Sequence, residues 1–392
     1  MILSYLALYL SNIVDATGDI IDTGFTNSLG INEICIFGIL CSIHGLCYTI
    51  CCYGTYVFRI TGKNAKECLF LTVLLGAFVS VVLMFTSPVL WHIWYIEPEL
   101  REILRICIFC LGLCEIPRAV SIFLVNYMQY TSQGGLCTKL FILFYICMFA
   151  FDAVAVFYFR SLPFVVIGTG LSNVIFDIVA YYKCGVRKHS FKLGNVLGVV
   201  QTGFGYFLER IFSRLSLSLY EASATYLGTY EYAVFTVSCK VFGMARVVIN
   251  TLQIHIVSGI RKANKVELGY AKNLYKGVRW VCILLFIFPA LIGLFIAKGE
   301  LNAFEFIIPL GEIYLAYFSG VYYIINYSVF SVINDKKKFV VAGVVRLMTT
   351  AVLVGISMLF RQYAVYILIM YYFLVYLTTG FYMKWVIKKC TM

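Results

Sequence analysis

Residues 2–27 read ILSYLALYLSNIVDATGDIIDTGFTN, and this stretch decides the fold. Its apolar residues (Ile2, Leu3, Leu6, Leu8, Leu10, Ile13, Val14, Ile20, Ile21) are those of a helix that crosses a bilayer. Asn12, Asp15, Asp19, Asp22 and Thr26 follow one another at spacings of three and four, which puts them on one helical face. A carboxylate at the middle of a bilayer helix costs roughly 2.5–3.5 kcal/mol. A face carrying three of them must line a wet cavity or bind something, which marks an ion or substrate pathway. Burial raises a carboxylate's proton affinity, so Asp22 and Asp15 suit a proton carried across and released. With Asn12, Thr26 and backbone carbonyls they suit Na+ equally well, because hard cations take oxygen ligands.

The rest of the chain has the composition of a membrane protein. It is 62% hydrophobic and 13% charged, with mean hydropathy +0.90. Soluble domains lie near 45–50% apolar and 25% charged. Disorder is excluded by the same balance. The net charge of +12 sits in short loops between apolar runs, so it reads as cytoplasmic loop charge and not as a nucleic-acid surface. Most of the fifteen cysteines fall inside apolar runs, where cysteine behaves as a small hydrophobe. Cys107, Cys110 and Cys114 share a helix face, but no second cluster with metal-ligand spacing accompanies them, and no metal site is expected. No Walker motif is present, so ATP hydrolysis within the chain is not expected. The first span lacks the basic n-region and small-residue cleavage site of a signal peptide.

Twelve spans are predicted, at 2–27, 32–58, 67–94, 102–130, 137–159, 163–182, 195–220, 229–257, 272–297, 303–331, 339–360 and 363–387. Alternate connections are basic: Arg59, Lys63 and Lys66; Lys183, Arg187, Lys188 and Lys192; Arg261, Lys262, Lys265, Lys272 and Lys276; Lys336, Lys337 and Lys338. The intervening ones are neutral or acidic, with Glu33, then Glu97, Glu99 and Glu102, then Glu221 and Glu231, then Glu300 and Glu305. The alternation keeps step with twelve spans and places both termini in the cytoplasm.

The chain also repeats itself at an offset near 200. Asn126-Tyr127 closes the fourth span and Asn326-Tyr327 the tenth. Asn64 and Glu67 follow the second span, Asn264 and Glu267 the eighth. Leu29-Gly30, Glu33 and Phe37 correspond to Leu227-Gly228, Glu231 and Phe235. The fold class expected is an all-α polytopic membrane protein, its twelve transmembrane helices forming two pseudo-symmetric six-helix bundles. Residues 1–182 form the N-terminal half and 195–392 the C-terminal half, with 183–194 as a basic cytoplasmic linker.

Several short motifs resemble the MATE (multidrug and toxic compound extrusion) transporters of the wider flippase-like superfamily. Asp22-Thr23 followed by Leu29-Gly30 is similar to that family's first-helix pattern. Glu115-Ile116-Pro117 and the Gly134-Gly135 turn resemble its proline-containing fourth helix and the glycine turn that follows. Asp152 falls where the family often has Asn or Asp in span five, and Gly168-Thr169-Gly170-Leu171-Ser172 resembles the small-residue run of span six. Glu209 is the candidate for the acidic residue that some members carry in span seven. The proline usual early in the family's first helix is missing here. The resemblance implies a cell-membrane secondary transporter, monomeric and without a cofactor. Such a protein exports small organic compounds, often cationic, by antiport with H+ or Na+.

Further polar residues are candidates for a substrate cavity. Glu115 and Arg118 share one turn of span four and are expected to neutralise each other, while His44 and Tyr48 lie one turn apart in span two. Span seven carries Glu209, Arg210 and Arg214, and span eight carries Lys240 and Arg246. Arg346 begins span eleven and is expected to snorkel to headgroups. The embedded basic residues keep a second reading open, a flippase for lipid-linked oligosaccharides or polysaccharide precursors. The aspartate stripe speaks against it, because carboxylates repel a pyrophosphate. A membrane enzyme is disfavoured, since every loop is short.

Overall fold

The computed structural model describes residues 2–3, 5–6, 8–10, 12–13, 29, 31–90, 100–224, 229–286, 303–333 and 335–391. Asp15, Asp19, Asp22 and Thr26 lie outside the described residues. Every regular element among the described residues is helical. The chain divides into two compact units, residues 14–203 and residues 1–13 together with 204–392.

In the unit 14–203, α1 (Ile31–Cys51) and α2 (Tyr53–Thr61) meet at Cys52. The predicted second span is therefore two helices and not one. α2 stops at Gly62, which takes φ +64°, a conformation that costs glycine nothing. α3 (Ala65–Leu90), α4 (Arg101–Tyr130), α5 (Gly134–Ala153) and α6 (Leu162–Lys183) follow. α5 continues as a π-helical turn, Val154–Phe159, which ends at Arg160 with φ +47°. Small residues let these helices approach. A Cβ on Gly112 would come within 2.9 Å of Met84 Cγ, and one on Gly170 within 2.2 Å of Cys114 Sγ. The core between α1, α3 and α4 includes Ile36, Leu40, Ile43, Val79, Leu83, Leu104 and Ile108.

The stretch after α6 is held down on this unit. Gln133 Nε2 donates to the Cys184 carbonyl at 3.1 Å. Tyr127 Oη and His189 Nε2 share a hydrogen bond of 2.8 Å. The Lys192 amide and Asn195 Nδ2 both donate to Glu67 Oε1, at 2.9 and 3.4 Å. Tyr53 Oη donates to the Val200 carbonyl.

In the other unit, α7 (Gly194–Ala224, from Phe204 onward), α8 (Thr229–Ala263) and α9 (Leu268–Lys276) precede α10 (Ala303–Ile333) and α11 (Lys336–Leu359). A short α12 (Ala364–Ile369) and α13 (Tyr371–Thr391) end it. The predicted ninth span is broken near Gly277, where α9 ends and a second helical stretch begins at 279. The start of the chain belongs to this unit: Tyr5 Oη donates to the Val248 carbonyl at 3.2 Å, and Asn12 Nδ2 donates to Thr251 Oγ1 at 2.8 Å. His255 lies edge-on to Tyr5.

The offset of 200 recurs as local geometry. Asn64 and Asn264 both adopt the left-handed region, at φ +55° and +52°, which asparagine tolerates better than most residues. Asn126 Nδ2 donates to the Ile122 carbonyl and Asn326 Nδ2 to the Tyr322 carbonyl, each at 2.7 Å.

Seven helical segments among the described residues are long and apolar enough to cross a bilayer: 65–88, 101–130, 134–159, 162–183, 314–333, 336–359 and 366–389. This is the pattern of a multi-pass membrane protein. Their outward faces carry the bulky apolar side chains such a protein gives to lipid, Phe78, Phe85, Ile146, Phe318 and Met348 among them.

Candidate functional site

Among the described residues, each unit holds a constellation of charged side chains around a buried carboxylate. In 14–203 it is built by α1 and α4. α1 presents His44 and, one turn on, Tyr48, whose rings meet edge-to-face at 6.1 Å. α4 presents Glu115 and Arg118 on either side of Pro117, which has no N–H and interrupts the helical hydrogen-bond ladder there. Glu115 is 1% exposed, and its Oε1 lies 3.0 Å from His44 Nδ1. Arg118 Nη1 lies 3.4 Å from that same Nδ1. Cys51 Sγ lies 4.0 Å from Glu115 Oε2. The expected Glu115–Arg118 pair is thus replaced: Glu115 pairs with His44, and Arg118 meets the same imidazole nitrogen. One ring nitrogen faces both a carboxylate and a guanidinium. It donates to Glu115 when protonated and accepts from Arg118 when not.

Two further carboxylates lie in this unit. Asp152 on α5 is fully buried, where Gly168 of α6 lets the helices close; a Cβ there would come within 2.8 Å of Phe151 Cβ and 3.7 Å of Asp152 Oδ1. Asp177 on α6 accepts a 2.6 Å hydrogen bond from Ser121 Oγ of α4. Asp177 was missed in the sequence, although Thr169, Asn173 and Asp177 recur every four residues, a polar stripe like the one that drew attention to the first helix.

The second constellation, in the unit containing 204–392, centres on Glu209, which is fully buried. Gly343 of α11 packs directly on α7, where a Cβ would meet Phe212 Cβ at 2.9 Å and Glu209 Cα at 3.1 Å. One turn further along α11, Arg346 Nη1 lies 3.6 Å from Glu209 Oε1. Arg210 Nε lies 3.6 Å from Glu209 Oε2, and Tyr327 Oη donates to that oxygen at 3.3 Å. Arg210 Nη2 donates to Tyr206 Oη at 2.7 Å, and its guanidinium lies over the rings of Tyr206 and Tyr327 at 5.1 and 5.2 Å. Arg346 lies over Tyr323 at 5.2 Å. Cation–π contacts of this kind contribute about 0.5–2 kcal/mol each and offset part of the cost of burying the cations. Arg246 of α8 lies in the same unit, half-buried.

Arg346 therefore corrects an expectation. It does not snorkel: it is 8% exposed and turned inward on Glu209. Arg214 sits on α7 one turn from Arg210, half-buried. Asn12 is tied to Thr251, and the remaining members of its stripe, Asp15, Asp19, Asp22 and Thr26, fall outside the described residues. Among the described residues no cluster of His, Cys, Asp and Glu is arranged to hold a metal ion.

No protein-family model matches the chain, and no curated protein sequence matches it. Solved structures do. A MATE in complex with MaD5 aligns with TM-score 0.80 at 12% identity, over 99% of this chain and 94% of that one. A MOP superfamily transporter from Pyrococcus furiosus, described as having a binding pocket of reverse polarity that suggests a different function, aligns at TM-score 0.77. Its identity is 12%, over 100% of this chain and 96% of that one. An outward-facing multidrug resistance MATE family transporter of the MOP superfamily aligns at 0.74, with 12% identity over 100% and 96%. From one end to the other, the chain has the fold of the MATE transporters of the MOP superfamily.

Proposed function

We propose that the chain is a secondary active transporter, and not an enzyme, which moves an organic small molecule across the cell membrane by alternating access against inward H+. In this reading twelve spans form two six-helix halves, 1–182 and 195–392, joined by the basic linker 183–194. Both termini are cytoplasmic and the protein acts as a monomer. The full-length likeness to transporters supports the class. The observation that carries the coupling is His44 Nδ1 poised between Glu115 and Arg118. A proton on that nitrogen strengthens its bond to Glu115 and repels Arg118; loss of the proton lets Arg118 donate in its place. Proton binding thereby moves a guanidinium beside a buried carboxylate, a local charge rearrangement able to bias a two-state protein. Asp22, which shares the three-and-four spacing of Asp15 and Asp19 in the sequence, is the other residue proposed for coupling. H+ is preferred to Na+ because an imidazole can carry a proton and is a poor ligand for a hard alkali cation.

The test is ethidium efflux from pump-deficient cells under imposed H+ or Na+ gradients. Efflux driven by H+ and abolished in Glu115→Gln and Asp22→Asn supports the reading. Efflux driven by Na+ alone refutes the proton assignment, and no efflux from correctly inserted wild type refutes the exporter.

One observation favours a second reading. Arg210 and Arg346 both meet the carboxylate of Glu209, two cations to one anion, a polarity that suits the anionic headgroup of a lipid-linked oligosaccharide.

A further inference from the structure

The connection after α6 is basic and tied down. Residues 178–208 contain no Asp or Glu, while Lys183, Arg187, Lys188 and Lys192 lie close together. Cys184 and Val186 are buried, and Gln133, Tyr127 and Glu67 hold the stretch in place through Cys184, His189, Lys192 and Asn195. All four cationic side chains are nevertheless exposed. So are Tyr182, Phe191, Leu193 and Leu197, and bulky apolar groups gathered among charges mark a surface that meets a partner or a membrane. α3 shows which way this surface faces. Its exposed residues Phe70, Leu74, Phe78, Val81 and Phe85 recur at steps of three and four, one stripe that meets lipid. Lys66 stands one turn before Phe70, at the charged end of that stripe. Phe191 packs against Phe70 with ring centroids 5.5 Å apart, and Glu67, next to Lys66, accepts the Lys192 amide at 2.9 Å. The connection therefore lies where the apolar face of a span gives way to its charged end, the level of phospholipid headgroups.

We propose that residues 182–197, together with Lys66, form a docking surface for the anionic phospholipids of the adjoining leaflet. Phe191, Leu193 and Leu197 enter the acyl boundary, and Lys183, Arg187, Lys188 and Lys192 meet the phosphates above it. Charge complementarity selects the occupant. The stretch supplies four cations and no acid, and Glu67 is buried and already engaged by its backbone. A zwitterionic headgroup cancels its own phosphate charge and answers this surface less well than an anionic one. A soluble acidic protein would answer the cations but would leave Phe191, which extends a lipid-facing stripe, out of its contact. The hydrogen bonds from Glu67, Tyr127 and Gln133 fix the stretch beforehand, so lipid binding does not have to order it. The proposal rests on the multi-pass fold and not on what is transported, so it stands or falls separately from the exporter reading.

The test is native mass spectrometry of the purified full-length protein titrated with phosphatidylglycerol and with phosphatidylcholine. Wild type is expected to bind phosphatidylglycerol more tightly. Lys188→Gln combined with Lys192→Gln should weaken that binding by about tenfold or more and leave phosphatidylcholine unaffected. Lys336→Gln combined with Lys337→Gln removes the same charge from exposed positions of another basic connection and should leave the tight binding intact. Equal weakening by the two pairs would mean attraction to net charge alone and would overturn the proposal, as would equal binding of the two lipids by wild type. A second measurement keeps every lysine in place. In liposomes, the fluorescence that Phe191→Trp adds should be quenched more by brominated phosphatidylglycerol than by brominated phosphatidylcholine at the same mole fraction. Equal quenching would overturn the preference for anionic lipid. No quenching by either would place the surface in water, open to an acidic protein, and would overturn the docking itself.

Discussion

His44 Nδ1 stands 3.0 Å from Glu115 Oε1 and 3.4 Å from Arg118 Nη1. One nitrogen cannot donate to the first and accept from the second at the same time. Substituting His44→Gln is therefore expected to fix one arrangement, since an amide neither gains nor loses a proton. Substrate binding should survive while gradient-driven transport falls by about two orders of magnitude, the scale on which losing a positioned proton carrier acts. Comparing equilibrium ethidium binding with H+-driven efflux checks this; equal losses in both would argue for a structural role.

Among the described residues, Glu209 is the carboxylate that Arg346 meets. Glu209→Gln should cost about 3–5 kcal/mol, because it removes the negative charge that Arg346 and Arg210 both meet. Tyr327→Phe removes one hydrogen bond to the same carboxylate and should cost about 1 kcal/mol. The order of the two thermal melts is the readout, and a milder effect from Glu209→Gln than from Tyr327→Phe would contradict the pairing.

Gly54 of α2 has no room for a side chain. A Cβ would lie 1.9 Å from the Cys68 carbonyl oxygen and 2.6 Å from Thr72 Oγ1, both on α3. Gly54→Ala should destabilise by about 1–3 kcal/mol through forced backbone shifts. Gly135→Ala, where nothing lies within 4 Å, should leave the melting temperature nearly unchanged.

Asp335 caps α11. Its Oδ1 accepts the Lys338 amide at 3.2 Å, and its Oδ2 pairs with Lys338 Nζ at 2.9 Å. The hydrogen bond from Lys338 holds this carboxyl below its ordinary range. The folded state thus favours the ionised form, and the stabilisation is present above the unfolded-state pKa and lost as pH falls through the folded one. Asp335→Ala should cost about 1 kcal/mol at neutral pH. The gap between wild type and variant should close in melts taken at progressively more acid pH; a gap that widened would reverse the sign of the argument.

Seven of the expected spans return as long apolar helices among the described residues, because apolar runs are written in local pattern. Long apolar runs give helices, and the matched residues Asn64 and Asn264, or Asn126 and Asn326, carry their backbone bonds within a few positions of themselves. The members of the charged clusters were legible too: His44, Glu115, Arg118, Glu209 and Arg210 were all named. Their partners were not, because pairing depends on which helices touch. Glu115 and Arg118 share a turn and were expected to pair, yet a histidine 71 residues away takes the carboxylate. Arg346 was placed at a span end on sequence position alone, whereas the Gly343 contact draws that turn of α11 onto Glu209. The two broken spans, at Cys52 and near Gly277, were invisible because hydropathy averages over a break that leaves the residues apolar.

A proton on His44 is the proposed driver of transport. The direct measurement is substrate-evoked proton movement in proteoliposomes, followed with an entrapped pH dye while ethidium is added outside. Wild type is predicted to move protons opposite to ethidium, and His44→Gln and Glu115→Gln to bind ethidium while moving none. Proton movement that persists in both variants would contradict the account.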